Sequence, residues 1–172
     1  YVHFDSCWAW HNGYIPNTDS IAGNGCGFKL GAMLQNQSNT LLRKVTNCIS
    51  SKNRTFGYTE NNSLCIIQYF NNVAYNNGDV GFVVNASGWG HDIPSILRNN
   101  IAFNNYDDIW IDGTACVQDH NDWNGGVIVT NSDFVSLDLT QLSSPRLPDG
   151  SLPDISFLYL VSGSDLINSG ID

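Results

Sequence analysis

Short stretches of alternating apolar and polar residues, separated by turns rich in Asn and Gly, run along most of the chain. Alternation of this kind predicts short strands, because successive side chains of a strand point to opposite faces of a sheet. Four of the stretches align with one another without gaps, at residues 6–12, 47–53, 71–77 and 99–105. A second set of four follows in the same order: Gly27-Phe28-Lys29, Gly57-Tyr58-Thr59, Gly81-Phe82-Val83 and Asp108-Ile109-Trp110.

Two repeated elements in a fixed order predict a chain that returns to the same place in every unit. The first set recurs at offsets of 41, 24 and 28 residues, without the helical periodicity of ankyrin or tetratricopeptide repeats. We therefore predict an all-β fold, a right-handed parallel β-helix (solenoid) with about four to five coils over residues 1–118. Residues 119–172 repeat only weakly and are predicted to form a final irregular coil and a capping tail of the same domain, because a solenoid end exposes an apolar cross-section.

The stacking of coils predicts which side chains share an environment. The Asn residues at the coil corners are expected to form ladders of side-chain amide hydrogen bonds. The long first offset predicts an inserted loop from Gly13 to Gly25 over the outer surface. Alternation along the strands sends one column of side chains to the core and a second to the outer face: Phe28, Tyr58, Phe82 and Ile109 inside, and Lys29, Thr59, Val83 and Trp110 outside.

Charge and composition narrow the classes of partner. Acidic residues outnumber basic ones by 16 to 7, so the formal net charge is -9. This disfavours nucleic acid or an anionic membrane as a partner, since both attract clustered Lys and Arg. No apolar run reaches the roughly 20 residues of a membrane span. The chain begins without Met or a signal-peptide pattern, and we expect a mature or truncated chain.

The cysteines predict neither a zinc site nor a disulfide framework. There are five, and none stands in a C-x-x-C spacing. Cys7 and Cys48 occupy equivalent positions in successive coils, where a disulfide is geometrically possible. Buried free thiols, stacked as small apolar groups, are favoured instead.

Several motifs resemble the family-nine pectate lyases. Residues 23–31 (GNGCGFKLG) resemble the G-x-G-N-G-F-K-L-G-G segment of that family, and residues 7–14 (CWAWHNGY) resemble its C-W-A-W-x-N-G-Y segment. Residues 47–62 resemble its next coil, and the tail at 149–153 and 163–167 resembles the end of the same proteins. The likeness covers nearly the whole chain, and its most specific part is the Gly-Phe-Lys-Leu-Gly element.

The resemblance implies a secreted enzyme that cleaves pectate by β-elimination. In such enzymes a Ca²⁺ held by aspartates binds the uronate carboxylate and acidifies the C5 proton, which a lysine removes; the matching residue is Lys29. A lysine side chain acts as a base near neutral pH only if its pKa is lowered, for example by a nearby cation. Thr59 and Glu60 stand where the family often has Asp and Gln, and with Trp110 they are the candidate substrate-binding residues.

The calcium-binding half of such a site has no match in the chain. In the family most calcium aspartates belong to a D-D-G-W-D element on the coil before C-W-A-W, and Asp5 matches none of them. We therefore expect a fragment that lacks the metal site, with no metal bound fully by this chain. Asp107 and Asp108 are neighbours on a strand, so a coil corner is favoured over a metal site.

Two functions of different classes stay open. The first is a lyase that cleaves an acidic polysaccharide by calcium-assisted β-elimination, with Lys29 as the base. The second is a non-catalytic extracellular β-helix, either a scaffold or a carbohydrate-binding surface protein. Trp110 is an exposed platform for a sugar ring in one interpretation and is covered by the C-terminal tail in the other. Residues 17–19 (NTD) resemble a polygalacturonase motif, but its further elements do not follow, and a turn is favoured.

Overall fold

The computed structural model describes residues 1–31, 42–61, 66–84, 94–111 and 116–172, and Cys65 lies outside these ranges. Within them no helix is long and apolar enough to cross a membrane. The two helices are short 3₁₀ turns, Asn131–Asp133 and Leu139–Ser143. The strands are β1 (Val2–Asp5), β2 (Trp8–Trp10), β3 (Phe28–Lys29), β4 (Leu42–Thr46), β5 (Ile49–Ser51), β6 (Tyr58–Thr59), β7 (Ile66–Phe70), β8 (Val73–Tyr75), β9 (Val80–Val84), β10 (Ser95–Arg98), β11 (Ile101–Phe103), β12 (Asp107–Ile111) and β13 (Cys116–Asp119).

The strands form three sheets in which each strand pairs in parallel with the strand three places along the chain. The first sheet has the order β1-β4-β7-β10-β13, the second β2-β5-β8-β11 and the third β3-β6-β9-β12. Each coil therefore contributes one strand to every sheet. The described residues contain four complete coils and the first strand of a fifth, which confirms the predicted parallel β-helix.

The core of the solenoid contains a stack of aromatic rings on the inner face of the third sheet. The rings of Phe28 and Tyr58 are 5.0 Å apart and those of Tyr58 and Phe82 are 4.6 Å apart, both nearly parallel. All three side chains are buried, as predicted. The prediction is wrong for Ile109, which is 36% exposed. Its strand β12 is the edge of the third sheet. The Trp123 ring also packs against Phe82, at 5.4 Å.

Buried Asn ladders join the coils at two corners, as predicted. In each ladder the backbone N–H of one Asn donates to the Oδ1 of the Asn in the next coil at 3.0 to 3.1 Å. The side-chain Nδ2 donates to a main-chain carbonyl of the coil before, so the ladders satisfy polar groups that the strands leave unpaired at the corners. One ladder contains Asn12, Asn53, Asn77 and Asn105, and the other contains Asn72, Asn100 and Asn121.

Each ladder ends on a residue of its own last coil. The Oδ1 of Asp108 accepts hydrogen bonds from the backbone N–H and the Nδ2 of Asn105, at 3.3 and 3.0 Å. The Oδ1 of Asn124 accepts from the backbone N–H of Asn121 at 2.9 Å. Asp108 thus has the corner role predicted for it.

The cysteine thiols at the first corner are free, as predicted. The Sγ of Cys48 accepts a hydrogen bond from the backbone N–H of Cys7 at 3.3 Å, in the position that Asn occupies in later coils. Burial raises the pKa of the Cys48 thiol to about 12. The thiol is therefore protonated and packs as a small apolar group.

The C-terminal tail packs along the side of the solenoid, whereas a tail over its end was predicted. Residues 127–166 contribute Phe134, Leu142, Phe157 and Leu166 to a second apolar core. Their partners are side chains on the outer face of the second sheet, among them Tyr75 and Phe103. That face carries apolar side chains in each of its four coils, and the tail covers it because burial of apolar area is the main favourable term in folding.

Candidate functional site

Lys29 lies at the end of β3 with its side chain exposed on the outer face of the third sheet, as predicted. The backbone N–H of Leu30 donates to the carbonyl of Thr59 at 3.0 Å, which ties this end of β3 to β6. Lys29 lines an open recess of about 390 Å³, within the range of about 300 to 1,000 Å³ typical of small-molecule sites. The other residues of the recess are Asn12, Gly13, Tyr14, Ala22, Gly23, Asn24, Gly25 and Cys26.

One wall of the recess is the predicted inserted loop, whose two ends meet in a narrow neck. The carbonyl of Gly13 accepts hydrogen bonds from the backbone N–H groups of Ala22 and Gly23, at 2.8 and 3.2 Å. Gly13 and Gly25 have φ of 89° and 75°. A Cβ on Gly13 would lie 2.6 Å from the Cα of Gly25. Only glycine fits this neck, for reasons of both φ and space.

The neck is fixed to the second coil by Arg54 and Thr55. The backbone N–H of Arg54 donates to the carbonyl of Asn12, and that of Thr55 donates to the carbonyl of Gly25, both at 3.0 Å. The Arg54 guanidinium also donates to the carbonyl of Gly23. The loop is therefore anchored on both sides of its base, so its wall of the recess is held in place before any ligand arrives.

Thr59 and Glu60 do not lie where a substrate contact requires them. Each is only 4% exposed. Thr59 is on the outer side of β6, but its Oγ1 accepts a hydrogen bond from the backbone N–H of Asn61 at 3.0 Å. Strand alternation directs Glu60 to the inner side. Burial, with a further contribution from Glu60, raises the pKa of the Tyr69 hydroxyl there. The prediction that these two side chains bind substrate at the surface is therefore corrected.

Trp110 is exposed, but it does not adjoin Lys29. Its side chain is 55% exposed on β12. The C-terminal tail, which was predicted as one possible cover for it, lies against the second sheet instead. Three inter-strand spacings, together roughly 14 Å, separate it from Lys29. Between them Thr59 and Val83 are buried, although Val83 was predicted to lie in an exposed outer column. The two ends of this column are accessible and its middle is covered.

A row of aromatic rings, for which the sequence predicted no role, borders the Lys29 recess. The His11 ring stacks on Tyr14 at 4.7 Å and 20°, and it lies 5.5 Å from the Trp10 ring. Asp19 joins His11 to Lys52, at 3.4 and 3.3 Å. Hydrogen bonds from His11 and Lys52 lower the pKa of the Asp19 carboxyl. The high aromatic content of residues 8–14 was the sequence signal that could have predicted this row.

The described residues do not provide a set of calcium ligands. No group of three or more His, Cys, Asp or Glu side chains converges anywhere in the described ranges. Asp5, the acid nearest the C-W-A-W segment, accepts hydrogen bonds from Thr46 and Asn47. Those bonds lower the pKa of the Asp5 carboxyl, with Thr46 contributing most. Since Ca²⁺ takes about six to eight oxygen ligands, this part of the chain does not fit the ion.

The comparisons with known proteins agree with this fold. The family model described as "Pel9A-like, right handed beta helix region" matches residues 1–100. A crystal structure of pectate lyase Pel9A superimposes with a TM-score of 0.82 at 30% identity, covering 99% of this chain and 40% of that one. A structure of a rhamnogalacturonan lyase superimposes with a TM-score of 0.76 at 24% identity, covering 95% of this chain and 44% of that one. The handedness of the solenoid is thus right-handed, as predicted.

Curated relatives are similar over nearly the whole chain. Pectate lyase L of Dickeya chrysanthemi is 35% identical over 176 residues, which covers 98% of this chain and 38% of the relative. Pectate lyase PEL9 of Emericella nidulans is 28% identical over 159 residues, covering 92% of this chain and 37% of the relative. The chain therefore spans less than two fifths of the length of these relatives.

Proposed function

Since the chain belongs to the Pel9A-like right-handed β-helix family, we propose that the protein cleaves an acidic polysaccharide by β-elimination with Lys29 as the base. The observation that carries this proposal is the position of Lys29. Its amine is exposed, lines a recess of about 390 Å³ and is carried by a strand of a rigid stacked sheet. A base must be held in this way to reach its proton repeatedly in the same geometry.

The proposed step needs one proton acceptor and a departing oxygen. The Lys29 amine removes the proton from C5 of a uronate unit, next to the carboxylate. The electron pair of that C–H bond becomes the second bond between C4 and C5, and the bond from C4 to the glycosidic oxygen breaks. The leaving oxygen takes a proton from solvent, and the Lys29 ammonium returns its proton to solvent. The products are a shortened chain and an unsaturated sugar end, with no net consumption of water.

We propose a calcium ion whose ligands lie outside the described residues. In the part of the chain that the structure describes, no three candidate ligands converge. We propose that carboxylates elsewhere in the protein hold the ion and that the Lys29 recess supplies the base and the sugar contacts. The net charge of -9 supports a bridging cation, because an acidic protein repels a polyuronate.

Partner and location follow from the same premise. The relatives are named as pectate lyases. We propose a polyuronate as the substrate and an extracellular location, where such polymers occur.

The test compares Lys29→Ala with Lys29→Arg and the wild type in the intact protein. Polygalacturonate is supplied with Ca²⁺, and the unsaturated product is followed by its ultraviolet absorbance. We expect Lys29→Ala to lower kcat by about 10² to 10⁴, the usual effect of removing a positioned base. Its free energy of unfolding should change by less than about 0.5 kcal/mol, because the side chain is exposed. Wild-type activity in Lys29→Ala would show that the site assignment is wrong.

A second candidate is supported by one observation, the lack of a converging ligand set among the described residues. A non-catalytic β-helix that binds carbohydrate would use the half-buried rings beside the Lys29 recess and the exposed Trp110, without a metal. It would bind oligouronates and release no unsaturated product, even with Ca²⁺ in excess. The lyase proposal would then fail and the binding function would replace it.

A further inference from the structure

Tyr14 stands between two recesses on the outer surface of the first coil. One is the Lys29 recess, of about 390 Å³. The other, of about 380 Å³, is lined by Trp10, His11 and Pro16 among others. Asn12, Gly13 and Tyr14 line both, and the half-buried Tyr14 carries the one aromatic ring among these three shared residues. A ligand that leaves the Lys29 recess in this direction has to pass over this ring.

The orientation of the Tyr14 ring is fixed by its neighbours. The ring stacks on His11 at 4.7 Å, and the backbone of Tyr14 forms an antiparallel bridge with Ile21 across the loop. His11 is held in turn by Asp19, which also pairs with Lys52. A ring held in this way loses little freedom when a ligand binds, and such preorganisation favours affinity.

The groups around Tyr14 match an acidic sugar. A flat aromatic face packs against the apolar C–H face of a pyranose. The recess on the same side offers the Asn24 amide and the Lys29 amine as hydrogen-bonding partners. The acidic side chain beside the aromatic row, Asp19, pairs with His11 and Lys52.

We propose that Tyr14 is the platform of a second sugar-binding subsite, which holds the uronate unit next to the one whose proton Lys29 removes. The inference rests on the proposed lyase function. It adds the contact that orients the polymer across the Lys29 recess. Tyr14 is a binding residue in this scheme and takes no part in the proton transfer. Its removal should therefore weaken substrate binding and leave the chemical step nearly unchanged.

The experiment uses three substitutions that separate the ring face from its hydroxyl and from its bulk. Tyr14→Phe keeps the face, Tyr14→Leu keeps apolar bulk over His11 without a planar ring, and Tyr14→Ala removes both. Tyr159→Ala is the matched control, because Tyr159 is an exposed tyrosine on the C-terminal tail. For each variant of the intact protein, kcat and KM are measured on polygalacturonate with Ca²⁺. The Kd for trigalacturonate is measured calorimetrically in a Lys29→Ala background, and thermal unfolding reports the fold.

We expect Tyr14→Leu and Tyr14→Ala to raise KM and Kd about tenfold, with kcat changed by less than about twofold. Tyr14→Phe and Tyr159→Ala should bind like the wild type. If Tyr14→Ala fails to fold, the Leu and Phe variants decide. A Kd for Tyr14→Leu within about twofold of that of the Lys29→Ala parent overturns the subsite. So does a Lys29→Ala parent that binds no trigalacturonate.

The two proposals fail in different ways. If the wild type releases no unsaturated product but the Leu variant loses trigalacturonate binding, the lyase proposal is wrong and Tyr14 still marks a sugar site. If the wild type is an active lyase and KM does not respond to the loss of the ring, only the subsite is wrong.

Discussion

At the scale of single residues, Asp122 is an acid that folding moves partly out of water. Its Oδ1 accepts a hydrogen bond from the backbone N–H of Ala102 at 3.0 Å. Burial nevertheless raises the pKa of the Asp122 carboxyl to about 7. The folded protein therefore binds this proton more tightly than the unfolded chain does, in which an aspartate titrates near pH 4. Stability from this group is present in full below about pH 4 and is lost as the pH rises through about 7.

The first prediction follows from this direction. The free energy of unfolding of the wild type should fall by on the order of 2 to 4 kcal/mol between about pH 4 and pH 8, relative to Asp122→Asn. The amide keeps the acceptor for Ala102 and has no charge to desolvate. Urea unfolding at several pH values measures the difference. Asp165→Asn, at an exposed position, controls for the loss of one negative charge. A wild-type to Asp122→Asn difference that does not vary with pH contradicts the prediction.

Sequence patterning predicted some residue environments and not others. Phe28 and Lys29 were assigned to opposite faces, because alternation is a local property of a strand. Thr59 was assigned correctly to the outer side of its strand, but its burial was not predicted. Burial depends on what other segments cover, which the alternation of one strand does not specify. Glu60 was predicted to bind substrate because of its position in the family motif. The alternation of its own strand instead directs its side chain inward.

At the scale of structural elements, the Asn ladders do most to hold the corners of neighbouring coils together. Asn77 makes every hydrogen bond available to its amide there. Its Oδ1 accepts from the backbone N–H and Nδ2 of Asn53, and its Nδ2 donates to the Ser50 carbonyl and to Asn105. The repeated Asn at fixed offsets made these ladders predictable, because stacked parallel coils bring identical positions together.

Removal of one ladder amide should be costly. We expect Asn77→Ala to lower the free energy of unfolding by about 3 kcal/mol, since a buried N–H and a buried carbonyl lose their partner. Asn71→Gly is the control. It removes an exposed amide of the outer corner and keeps the left-handed backbone, φ 56°, that glycine tolerates. The control should cost less than about 1 kcal/mol in urea unfolding. Equal losses in the two variants would show that ladder burial does not matter.

At the scale of the whole molecule, the tail makes a second core against the side of the solenoid. Phe157 is buried there and meets the Tyr75 ring edge-on at 5.8 Å. The position of the tail was predicted wrongly from the sequence, because its segments do not repeat and so lack a register to extrapolate. The apolar residues on both faces of the second-sheet strands, such as Val73 and Tyr75 around Ala74, were the signal that something must cover that sheet.

The tail should therefore contribute to stability rather than act as a loose appendage. We expect Phe157→Ala to cost about 3 to 5 kcal/mol of unfolding free energy, as for other buried phenylalanines. Tyr159→Ala, two residues away and exposed, should cost less than about 0.5 kcal/mol. Chemical denaturation followed by tryptophan fluorescence measures both. A Phe157→Ala variant as stable as the control would mean that the second core is dispensable.

A further prediction concerns metal. The described part of the chain brings no three candidate ligands together. We therefore expect this chain alone to show no calcium-dependent rise in its melting temperature and no stoichiometric heat of calcium binding. Calorimetric titration with Ca²⁺, with Mg²⁺ as a control for weak surface binding, tests this. A single site of micromolar affinity in the isolated chain would contradict it.

The ladders have a direction. The backbone N–H of each earlier coil donates to the side-chain oxygen of the coil that follows, from Asn12 to Asn53, Asn77 and Asn105. During synthesis the earlier coil leaves the ribosome first. Its backbone N–H has no ladder acceptor until the next coil has emerged. Asp108 and Asn124 supply that acceptor from within the last coil of each ladder. We therefore expect the ladder bonds to form coil by coil in the order in which the coils are synthesised, ending at Asp108 and Asn124.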